Sequence, residues 1–76
     1  MTEKIIELIK ELRPYEEITP DTELIKSGIL DSLAVFGLVN QLENEFEIEI
    51  AEDAVTAKNF STVLEILKLV KESAKL

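Results

Sequence analysis

Cysteine and histidine are both absent from this chain of 76 residues. Without Cys there is no disulfide, no thiolate nucleophile and no soft metal site. Without His as well, zinc chemistry and Ser-His catalysis are excluded, so no metal site is expected and the chain is read as no enzyme by itself. Two Gly and two Pro are too few for a linker, a collagen-like repeat or a turn-rich all-β domain. Cations are scarce: 8 Lys and Arg stand against 16 Asp and Glu, a net charge of −8. That balance argues against nucleic acid as a partner, because phosphate binding needs clustered Lys and Arg. It argues equally against an anionic membrane surface. Long apolar runs are missing too. The longest uncharged stretch, Ser32 to Leu42, includes Asn40 and Gln41 and falls far short of the ~20 residues of a span. Met1 to Leu12 interleaves Glu3, Lys4, Glu7, Lys10 and Glu11 with its aliphatics, which leaves no apolar core for an export signal. A soluble, cytoplasmic protein without membrane insertion is expected.

Hydrophobic residues make up 46% of the chain and charged ones 32%, a globular composition. The length suits one core, hence a single domain over 1–76 whose folding buries only about 60% of the unfolded surface. Ile5, Leu8, Ile9 and Leu12 fall on one helical face. Thr2 is a plausible cap and Pro14 disfavours helix at Arg13, so the first helix is expected over about 3–12. Residues 14–31 hold both prolines and Gly28 and read as a long loop, packed down by Ile18, Leu24, Ile25, Ile29 and Leu30. One helical turn is expected around Thr22–Lys26.

A second helix is predicted from Asp31-Ser32 to about Phe46, with Asp31 as N-cap. Val35, Leu38, Val39, Leu42 and Phe46 lie within an arc of roughly 100°, the width of a core-facing stripe. Leu33 and Phe36 fall on the side that carries Ser32. They form either a docking patch or an apolar pair packed under the preceding loop. Glu43 to Ile50 alternates with period two, but no second strand-like run exists to pair with it. A helix end followed by an extended stretch is expected, with Ile48 and Ile50 turned inward. Asp53 to Ala57 reads as a short third helix capped by Asp53. A fourth, about 62–74, begins at a Thr62/Glu65 capping box, with Phe60, Val63, Leu64, Ile66, Leu67 and Val70 on its apolar face. Lys68, Lys71 and Lys75 sit where its dipole favours cations. The expected fold is all-α: a small four-helix bundle, three main helices plus one short one, with a long loop between the first two.

Charge is unevenly placed. From Ser27 to Ala57 there is no Lys or Arg, while Asp31, Glu43, Glu45, Glu47, Glu49, Glu52 and Asp53 supply −7. An acidic field around a serine and two apolar side chains suits steering of a basic partner surface. The bland alternative is a solvated face that only aids solubility. EF-hand spacing is absent.

The run Gly28-Ile29-Leu30-Asp31-Ser32-Leu33 resembles the prosthetic-group site of acyl carrier proteins and peptidyl carrier domains. Pro20-Asp21-Thr22-Glu23-Leu24 before it, Leu42-Glu43-Asn44-Glu45-Phe46 at the helix end, and Ile48 and Ile50 after it extend the resemblance over nearly the whole chain. The resemblance implies that Ser32 accepts 4′-phosphopantetheine from coenzyme A through a separate Mg²⁺-dependent phosphopantetheinyl transferase. The arm's thiol then carries an acyl or aminoacyl group as a thioester, in fatty acid or specialised acyl metabolism. Because the reactive thiol belongs to the cofactor, a chain without Cys or His can serve. Asp31, Leu33, Phe36, Glu43 and Glu47 would be read by the transferase and by acyl- or aminoacyl-loading ligases or synthases with basic docking surfaces. A monomer is expected. Fatty-acid synthase carriers usually read Gly-Ala-Asp-Ser-Leu; here Ile29 and Leu30 precede Asp31, and Ala34, Gly37 and Asn44 stand where acids are common. Gly37 would permit close approach by a partner. The Gly-Ile-Leu-Asp-Ser-Leu form and Phe60-Ser61-Thr62 are similar to D-alanyl carrier proteins of teichoic acid modification and also to dedicated carriers of specialised pathways. An unmodified acidic helical interaction module is the alternative of another class.

Overall fold

A computed structural model describes residues 1–74 and shows an all-helical chain with no strand among them. Three α-helices form: α1, Thr2–Leu12; α2, Ser32–Phe46; and α3, Val63–Ser73. α1 packs against both of the others. The anticipated short helix is only a 3₁₀ turn, Glu52–Ala54, and Asp53 lies inside it instead of capping it. Nothing in that turn is buried, so there is too little apolar surface to lengthen it. The fold is therefore three helices and a turn. At the other end, Met1 takes the cap place and Thr2 is already helical, the one-residue variation usual at helix ends.

Ile5, Leu8 and Ile9 of α1 are buried, with Leu12 packed against the core. The buried face of α2 is Ala34, Leu38 and Leu42. Val35, Val39 and Phe46 are half-buried at its edge. At 100° per residue the face lies about 50° round from the predicted stripe. Ala34, in the first turn of the helix, suits this rotation, since a small side chain lets a helix backbone come close to its neighbours. In α3, Val63, Ile66, Leu69 and Val70 are buried while Leu64 is exposed, so Leu69 takes the place expected of Leu64. Thr62 caps this helix, its hydroxyl accepting from the Glu65 amide at 3.2 Å. Lys71 stands in the last turn; Lys75 lies outside the described residues.

The long loop is tied down by its own backbone. Leu24 donates to the Ser61 carbonyl at 2.8 Å, Leu64 donates to Pro20 at 3.2 Å, and Ser27 donates to Glu23 at 3.1 Å. The last of these closes the single helical turn. Gly28 follows it at φ +83°, a left-handed conformation that costs a residue with Cβ. Ile18, Leu24, Ile29 and Leu30 are buried, so the two residues between Gly28 and Asp31 go into the core. Ile50 is buried and Ile48 half-buried beyond α2, as the alternating stretch predicts.

Candidate functional site

The site starts with a helix cap. Asp31 has extended backbone (φ −101°, ψ −176°), and its Oδ1 accepts from the Ala34 amide at 2.9 Å. The Asp31 carbonyl takes the Val35 amide at 2.9 Å. Because Asp31 supplies the cap, Ser32 is the first helical residue with no capping duty, and it is exposed. As the first residue of α2 it lies at the end of the helix where the dipole favours an anion such as a phosphodiester.

Leu33 is 82% exposed and Phe36 64% exposed. Neither packs under the loop, so the apolar pair opens to solvent beside Ser32. A cleft of ≈ 500 Å³ runs past this serine, walled by Ile25, Leu30, Val35, Phe36, Val55 and Ala57. An exposed hydroxyl, an apolar trough next to it and a dipole end are what an anionic arm with an organic chain needs, so the residues fit the group.

The acids divide by role. Glu43 is half-buried and its Oε2 accepts from the Ile50 amide at 2.9 Å, which ties the extended stretch back to α2. Glu47 is exposed in the left-handed region (φ 53°), where it ends α2. Two more acids have cation partners that the local sequence does not reveal. Lys4 lies 3.8 Å from Glu45, and Arg13 lies 3.7 Å from Asp31. Both cations come from α1, so the acidic face is partly neutralised by its neighbour helix. No signal in residues 27–57 could have found these partners. Among the described residues no group of three or more acids converges to hold a metal.

An exposed serine with no capping duty at a helix start, beside an apolar cleft, is suited to carry an attached group. The comparisons agree. Residues 3–70 match the family model described as "Phosphopantetheine attachment site". The D-alanyl carrier protein of Streptococcus uberis is 36% identical over 72 residues, covering 92% of this chain and 90% of that protein. The D-alanyl carrier protein of Staphylococcus xylosus is 28% identical over 72 residues, 92% of each. No solved structure matches. The chain belongs to the phosphopantetheine-binding carrier proteins, a non-enzymatic family whose members bear 4′-phosphopantetheine covalently and are served by a phosphopantetheinyl transferase and ligases.

Proposed function

We propose that Ser32 is the attachment residue, so that the chain acts as one carrier domain over 1–76. It holds acyl or aminoacyl groups as thioesters on the arm and presents them to partner enzymes. The observation that supports this most is the division of labour at the start of α2: Asp31 caps, Ser32 is free and exposed. The arm supplies the thiol that the chain lacks. Leu33, Phe36, Asp31, Glu43 and Glu47 surround or extend from that point as the surface offered to partners, apolar at the centre and acidic beyond. A transient docking surface of this kind has to stay open, which supports a monomer. Coenzyme A as the arm's donor supports a cytoplasmic location.

D-alanine is the second reading for the cargo. Its support is the similarity to two D-alanyl carrier proteins over most of their length, together with the Gly28-to-Leu33 form of the site. Fatty or specialised acyl groups remain the broader reading.

Intact mass tests the attachment. Purified chain incubated with coenzyme A, Mg²⁺ and a broad-specificity transferase should gain one phosphopantetheine. Ser32→Ala should gain none while keeping its helical circular dichroism, since surface changes usually cost under about 0.5 kcal/mol. Wild type that gains nothing would point to the unmodified interaction module, and modification of Ser32→Ala would place the arm elsewhere. Parallel loading of the holo form with D-alanine and its ligase, against fatty acyl groups, then decides the cargo.

A further inference from the structure

Around Ser32 the carboxylate that partners would meet first is already engaged. Arg13 stands at the C-cap of α1. Its Nη1 donates to the Leu12 carbonyl at 3.0 Å, which fixes the guanidinium at the end of the helix. Its Nη2 lies 3.7 Å from Oδ2 of Asp31, a half-buried arginine against an exposed aspartate. The other oxygen of Asp31 accepts from the Ala34 amide at 2.9 Å. Both oxygens of the residue before the serine therefore have a partner, one of them a cation from another helix.

We propose that Arg13 is a specificity-determining residue that competes, within the chain, with the cations of docking enzymes for Asp31. The inference rests on Ser32 as the attachment residue. An incoming Lys or Arg must share Asp31 with Arg13 or displace it, and either course returns part of the attraction. Docking weight then shifts to the open apolar pair, Leu33 and Phe36, and to exposed acids such as Glu47 and Glu49. A transferase or ligase that depends on the acid before the serine is disfavoured, and one that reads the apolar pair is not. Arg13 acts through Asp31, so its effect belongs in the encounter and not in the chemical step.

The test is steady-state phosphopantetheinylation of the full chain with coenzyme A, Mg²⁺ and a broad-specificity transferase, at low salt and at 1 M salt. Arg13→Gln should lower KM for the carrier about two- to fivefold at low salt, the worth of one exposed ion pair, with kcat unchanged. Arg13→Lys, which keeps the charge, should resemble wild type. At 1 M salt, where the Debye length is about 3 Å, the difference should vanish. In an Asp31→Asn background, which keeps a good cap, Arg13→Gln should have no effect. An unchanged or raised KM overturns the proposal, as does a fall that persists without the Asp31 charge. Should Arg13→Gln lose its helical signal, Arg13→Met, which keeps an unbranched aliphatic side chain, takes its place with the same expectations. Wild type that gains no arm at all overturns the carrier assignment itself, and this inference with it.

Discussion

Phe60, Phe46 and Phe36 sit at three depths, fully buried, half-buried and exposed. Their truncation to alanine should follow that order. Phe60→Ala should cost about 3–5 kcal/mol, a large share of the stability of a small domain. Phe46→Ala should cost less, because its ring lies at the edge of the core and not within it as the sequence suggested. Phe36→Ala should change stability within about 0.5 kcal/mol and instead weaken partner docking. Urea midpoints rank the three. A Phe36 variant as destabilised as the Phe60 variant would show that the exposed patch is structural.

In α2 the informative element is its seam with α1. A Cβ built on Gly37 meets Leu12 Cδ2 at 3.9 Å, an ordinary contact. Gly37 thus faces α1, not an incoming partner as its place in the sequence suggested. Helix propensity then predicts that Gly37→Ala stabilises the protein by about 1 kcal/mol, a rise in Tm of roughly 4–8 °C at this size. Thermal unfolding by circular dichroism checks it, and a fall in Tm would mean that Leu12 cannot accept the methyl. One turn on, Gln41 has a buried Oε1 with no hydrogen-bond partner among the described residues. The same helix therefore carries a missing methyl and an unsatisfied oxygen within four residues.

For the whole molecule, the net −8 acts as a field shaped by the fold. Lys4 and Arg13 partly cancel Glu45 and Asp31, which leaves the exposed acids after α2 to attract partners. Reversing Glu47 and Glu49 to Lys should slow association with a transferase at low salt and matter little at 1 M, where screening removes steering. Stopped-flow association rates check this, and rates unchanged at low salt would reduce the acidic face to a solvated surface. Glu43 is left out of that variant on purpose. Its carboxylate holds the Ile50 amide, so its reversal would disturb structure as well as charge.

The sequence by itself determined the three helices, the cap at Asp31, the place of Ser32 and the inward turn of Ile50. Capping and periodicity are local: they depend on side chains within one or two turns of each other, and those are adjacent in the chain. What it could not determine is the rotation of α2 onto Ala34, the burial of Leu69 in place of Leu64, and the shrinking of the short helix to a 3₁₀ turn. The cleft beside Ser32 and the cations that reach the acidic face were equally hidden. Each of these is decided by which residues from separate segments come within a few ångströms, and a helix with several apolar faces to choose from takes the one its neighbours can fill.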